Sequence, residues 1–105
     1  MSEEEILAKI TEFAGLTDNW DSYGARPIAQ EAIDAATDAV KHCSPLPDWI
    51  VPTSKGGIQL EWYSNLRDFE LEFSPNGRPS LLVTPKISGV CMWDETIEWS
   101  KEARE

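Results

Sequence analysis

The apolar residues of this chain change their spacing once, and that change decides what it can fold into. Through Cys43 they recur at intervals of three and four residues, and from Gly57 they alternate. "GIQLEWY" sets Ile58, Leu60 and Trp62 against Gln59, Glu61 and Tyr63, and "DFELEF" sets Phe69, Leu71 and Phe73 against Asp68, Glu70 and Glu72. Alternation of this kind marks strands with one buried and one wet face. A two-stranded hairpin cannot hide such an apolar face by itself, so the helical half of the chain has to cover it. The expected fold is α+β: two N-terminal helices packed on one face of an antiparallel β-meander of three to five strands, in a single domain over residues 1–105.

"SEEEILAKITEFAG" opens on a capping box, with Ser2 at the N-cap and Glu5 three residues on. Glu3, Glu4 and Glu5 sit where the helix dipole favours negative charge. Ile6, Ile10 and Phe13 form the apolar stripe, and Gly15 is the expected C′ stop of a helix over residues 3–14. "AQEAIDAATDAVKHC" predicts the second helix, with Ile33, Ala36 and Val40 inward beside Ala32 and Ala39, and Ile28 and Ile33 as a hydrophobic staple. The prolines of "SPLPDW" end it, and "PDWIVPT" reads as a short edge strand limited by its own prolines.

"SNLR" joins the two alternating strands as a hairpin loop. Its length sets Leu60 opposite Leu71 and Trp62 opposite Phe69 on the inner face, with Glu61 opposite Glu70 and Gln59 opposite Glu72 on the outer. In "SPNGRP", Pro75 and Asn76 suit the middle of a type I turn and Gly77 the left-handed position after it. That loop brings Leu81 opposite Leu71 and Val83 opposite Phe69. Further on, "ISGVCMW" has the composition of one more strand, and "DETIEWSKEARE" reads as a short C-terminal helix capped by Asp94.

"NWDSYGARPI", residues 19–28, must turn the chain between the helices. Gly24 is expected at a backbone angle other residues resist, Asp18, Asn19 and Asp21 in Asx turns, and Pro27 at an extended entry to the second helix. Trp20 and Tyr23 are expected to cover the open ends of both helices. The corner is read first as scaffold; because its residue types also favour interfaces, Trp20, Tyr23 and Arg26 form a candidate second contact loop. "NWDSYGARPI" followed by "PTSKGGIQLEW" at residues 52–62 resembles a pattern of small bacterial and phage proteins of unassigned function. The resemblance spans residues 6–74, implies one compact fold linking corner to hairpin, and adds no catalytic residue.

Nineteen acidic residues against nine basic ones give a net charge of −10. A chain this acidic is repelled by nucleic-acid phosphates and anionic lipid, so neither direct nucleic-acid binding nor membrane binding is expected. Its 41% hydrophobic content and five tryptophans are those of a folded domain despite that charge. "MSEEEILAKI" lacks the basic start and apolar run of a secretory signal, and no window nears the roughly 18 apolar residues of a membrane span. Cys43 and Cys91 read as reduced thiols, and the expected location is the cytoplasm.

Few constellations carry chemistry. His42 and Cys43 are neighbours on a helix, where side chains point about 100° apart, so they do not form a nucleophile pair. Adding Cys91 gives no paired zinc spacing, and the glycines and serines form neither a phosphate loop nor a nucleophile elbow. No cofactor and no enzymatic activity are expected.

The outer hairpin face remains: Gln59, Glu61, Tyr63, Asp68, Glu70 and Glu72. Like charges facing each other across a sheet cost up to about 1 kcal/mol. Solvated surface, docking strip and acid–base pair compete as explanations, and an open sheet face is a poor place for catalysis. The leading expectation is a non-enzymatic interaction module that binds a basic protein surface, of the antitoxin, immunity-protein or phage-inhibitor type. In the last case the carboxylates imitate the phosphates of a nucleic acid. The alternatives are a small hydrolase or ligand-binding domain gathering Glu61, Glu70, Tyr23 and Arg26 around a pocket, and a structural homodimer paired through a sheet edge.

Overall fold

A computed structural model describes residues 1–85. In chain order it runs α1 (Glu3–Ala14), α2 (Gln30–His42), β1 (Trp49–Pro52), β2 (Ile58–Tyr63), β3 (Arg67–Phe73) and β4 (Pro79–Pro85). The strands form one antiparallel sheet in the order β1-β2-β3-β4, a meander with the helices preceding it, so the fold is α+β. The strand expected in "ISGVCMW", the helix expected in "DETIEWSKEARE", and Cys91 lie outside the described residues.

The capping box forms. The Ser2 hydroxyl accepts from the Glu5 amide at 3.1 Å, and the Glu5 carboxylate accepts from the Ser2 amide at 3.0 Å. Hydrogen bonding of its carboxylate to the Ser2 backbone amide foremost, then to the Ser2 side chain, holds the Glu5 carboxyl below the usual carboxylate range. At the other end Gly15 departs from expectation. It is the C-cap itself, at a right-handed φ of −90°, and its amide bonds back three residues to the Glu12 carbonyl at 3.0 Å. The last turn tightens instead of reversing hand.

Helix α2 starts at Ala29, an N-cap with no side-chain bond to offer. Ala32, Ala36, Ala39 and Val40 are buried as expected, but Ile33 is only half-buried. The small alanines let α2 lie close on β2 and β3, and this rotates Ile33 into the groove between the helices, beside Leu7 and Thr11 of α1. Helix α1 rests on β1.

Between helices and sheet lies one core, built from Ile6, Ile10 and Phe13 of α1, the alanine face of α2, and Ile50, Ile58, Leu60, Leu71 and Phe73 of the sheet. The Trp62 indole donates to the Pro45 carbonyl at 2.9 Å and ties the inner face to the α2–β1 connection.

Both hairpin registers hold. Leu60 pairs with Leu71 and Trp62 with Phe69, while Leu71 pairs with Leu81 and Phe69 with Val83. Gly77 takes the left-handed position at φ 80° and donates to the Ser74 carbonyl at 2.8 Å. Between β1 and β2 the chain turns through Thr53 and Gly57, whose backbones bond at 2.9 Å. Two glycines are required there by proximity. A Cβ on Gly56, already at φ 95°, would sit 2.8 Å from the Pro27 carbonyl oxygen, and one on Gly57 would sit 2.2 Å from that of Phe73. No described helix is long and apolar enough to cross a membrane.

Candidate functional site

Because side chains alternate across a strand, burying Ile58, Leu60, Leu71 and Phe73 commits their neighbours to the other face. The structure brings the six residues expected there into register. Gln59 pairs with Glu72, Glu61 with Glu70, and Tyr63 with Asp68. Two further residues of that face were not foreseen. Trp49 pairs with Glu61 from β1, and Leu82 pairs with Glu70 from β4. A single row therefore crosses the four described strands: Trp49, Glu61, Glu70, Leu82. Neighbouring strands lie about 4.8 Å apart, so the row is roughly 14 Å long. Trp49, Tyr63 and Leu82 are exposed by 44%, 51% and 53%, high values for large apolar or aromatic side chains, and both helices lie on the other face.

Glu61 is not a lone carboxylate. Gln59 donates its amide to Glu61 Oε2 at 2.7 Å, and the Tyr63 hydroxyl donates to Glu61 Oε1. Both donors come from two residues away on the same strand, which is the spacing of same-face neighbours. The clamp eases the cost of setting Glu61 against Glu70, because two donors share the Glu61 charge. It also acts on the phenol. The hydrogen bond to Glu61 first, then burial and the negative charges of Glu61, Asp68 and Asp48, push the Tyr63 hydroxyl up to about 12. Asp48 fixes the place of this tyrosine: its carboxylate accepts from the Tyr63 amide at 2.7 Å, and its own amide donates to the Glu61 carbonyl at 2.8 Å. At the β1 edge, Lys9 Nζ lies 4.8 Å from the centre of the Trp49 ring, a cation–π contact from α1.

The chain matches no family model, no curated protein and no solved structure.

The corner is built by Asp21, Asn19 and its one indole. Asp21 forms the expected Asx turn, its Oδ1 accepting from the amides of Tyr23 and Ala25 at 2.8 and 3.0 Å, whereas Asn19 Oδ1 accepts from the Gly24 amide, five residues on, at 2.7 Å and so closes a wider loop than an Asx turn. Asp18 accepts no such bond among the described residues and lines an open pocket instead. The Trp20 indole donates to the Arg26 carbonyl at 2.7 Å, and its ring packs, partly buried, against the core. Tyr23 does not cover a helix end: it is 92% exposed. Ser22 and Gly24 on either side of it both have positive φ, at 65° and 85°, and the chain reverses around it and leaves its ring in solvent.

Arg26 lines the corner pocket with Asp18 and Lys55, whereas Glu61, Glu70 and Tyr23 are not part of that lining. His42 is exposed, its Nδ1 2.8 Å from the Asp38 carbonyl oxygen, while Cys43 beside it is buried. Among the described residues no three His, Cys, Asp or Glu side chains cluster as a metal site would require.

Proposed function

We propose that this protein is a non-enzymatic, cytoplasmic interaction module whose outer sheet face docks on a basic surface of another protein. The observation that supports this most is the row Trp49–Glu61–Glu70–Leu82, with Tyr63 and Glu72 beside it. Solvation alone explains acids on a wet face, but it does not explain three exposed apolar or aromatic side chains interleaved with them. Docking uses both. The carboxylates speed the encounter and select a cationic partner, and Trp49, Tyr63 and Leu82 supply contact area once water is expelled. Antitoxins, immunity proteins and inhibitors of nucleic-acid-handling enzymes work in this way, the last by presenting carboxylates where a phosphate chain would lie. The test is affinity capture from a host lysate with the wild type and with E61K/E70K, at low and moderate salt. The wild type is expected to retain a basic partner that fades as salt rises, and the variant to retain none. Equal capture by both proteins would overturn the reading.

A homodimer is the second reading, and one feature favours it. Strand β4 is an edge among the described residues, and Pro79–Pro85 carries no charged side chain, although edges are commonly blunted by charge. Light scattering over a concentration series separates the two readings, since a strict monomer at high concentration rules out edge pairing.

A further inference from the structure

The two sequence segments that stand out as motifs, "NWDSYGARPI" and "PTSKGG", meet in space. The Arg26 amide donates to the Ser54 carbonyl and the Ala29 amide to the Gly56 carbonyl, both at 2.9 Å. Gly56 packs so closely on Pro27 that no side chain fits between them. These bonds hold Arg26 and Lys55 on adjoining backbones, and both line one open pocket of about 550 Å³ together with Asp18, Gly24, Pro27 and Pro75. The pocket shares no residue with the acidic sheet face.

Its charge is the opposite of the chain's. Acids outnumber bases by nineteen to nine, yet two cations stand at this single concavity. Neither Arg26 nor Lys55 makes an ion pair among the described residues, although carboxylates are abundant. A turn needs no guanidinium, and a β-turn needs no ammonium. Two unpaired cations kept at one pocket are what an anionic ligand requires.

We propose that this pocket binds a small phosphate monoester. Arg26 and Lys55 meet the phosphate, two positive charges against a dianion. The volume lies within the ordinary range for small-ligand sites, roughly 300–1,000 Å³, and leaves room beyond the phosphate for the rest of a small molecule. Pro27 and Pro75 give that remainder flat apolar walls, and Asp18 accepts from its hydroxyl groups. The same Asp18 charge disfavours a polyphosphate, which would bring more negative charge than the pocket can offset. Ala29, the N-cap of α2, also lines the pocket, but Glu31 in the first turn of that helix offsets its N-terminal partial charge, so the positive field at the site comes from Arg26 and Lys55.

The experiment is an amide chemical-shift titration of the full chain with inorganic phosphate, ribose 5-phosphate and ribose as separate probes. Both phosphates are expected to shift Gly24, Ala29 and Lys55 saturably, with ribose 5-phosphate the tighter and ribose silent. R26Q/K55Q is expected to weaken ribose 5-phosphate by at least about tenfold, as loss of two charge-assisted contacts implies. R26K/K55R keeps both charges and is expected to retain binding, and an unmoved Trp20 indole signal shows that the corner in each variant is intact. Unsaturable shifts, equal shifts with ribose, or full affinity in R26Q/K55Q would overturn the site. Equal affinity for the two phosphates would overturn the monoester assignment. None of these outcomes depends on the acidic face, so the docking proposal stands or falls separately.

Discussion

Reversing the charge of Glu70 is expected to make this protein more stable and less useful. Glu70 sits at the centre of the acidic face, with Glu61 directly opposite and Asp68 and Glu72 two residues away on its own strand. Same-face neighbours along a strand lie about 6.7 Å apart, and directly paired ones about 5 Å. At that range in a water-like medium each pair repels by roughly 0.6 kcal/mol before screening, and salt near physiological strength leaves about half of it. Three such pairs make the repulsion on Glu70 about 0.8 kcal/mol, less for Glu61 because Gln59 and Tyr63 already share its charge. Glu70→Gln removes the repulsion, and Glu70→Lys turns it into attraction, for a gain of about 1.5 kcal/mol. Urea denaturation at low and high salt reads this directly: E70K is expected to raise the midpoint more than E70Q, and most of its advantage is expected to vanish at about 1 M salt, where the screening length falls to about 3 Å. A neutral or destabilising E70K at low salt, or a gain that salt does not diminish, would refute the placement of these carboxylates on a single face.

The remaining expectations concern single positions. Tyr63 is expected to titrate near 12 by tyrosinate absorbance, and Glu61→Ala to return it toward the usual tyrosine value near 10. Because its folded value lies above the unfolded one, the stability it contributes is present below about pH 10 and lost as pH rises toward 12. Leu60→Ala, at a fully buried position, is expected to cost about 3 kcal/mol in denaturation, while Leu82→Ala on the open face costs no more than about 0.5 kcal/mol yet weakens partner capture. Gly57→Ala is expected to destabilise by more than about 2 kcal/mol, since its methyl group would overlap the Phe73 carbonyl oxygen; a melting temperature equal to wild type would contradict that contact.

Local rules reached much of this fold. Ser2 and Glu5 cap α1 through bonds that span three residues, so nothing distant can alter them. The hairpin registers follow from loop length and from Gly77, again short-range causes. Where distant elements decide, sequence reasoning fell short. The burial of Ile33 depends on how α1 lies against α2, and the outward ring of Tyr23 depends on positive φ at Ser22, a residue with no special liking for it. Leu82 was legible in principle, because the register that turns Leu81 and Val83 inward turns it outward. Trp49 was not, since the β1–β2 pairing passes through a glycine turn fixed by the corner and by β3. The pocket between Arg26 and Lys55 arises from two segments far apart in the chain, and no spacing rule joins them.

The most direct measurement is side-chain chemical-shift mapping of the labelled protein in complex with its captured partner. The Trp49 indole, the Gln59 amide group and the Leu82 methyls report on the acidic face, and Thr11 and Thr37 report on the helices behind it. Large shifts confined to the first set are expected. A complex that moves the helices or the loop at Tyr23 and leaves Trp49, Gln59 and Leu82 silent would contradict docking through the sheet.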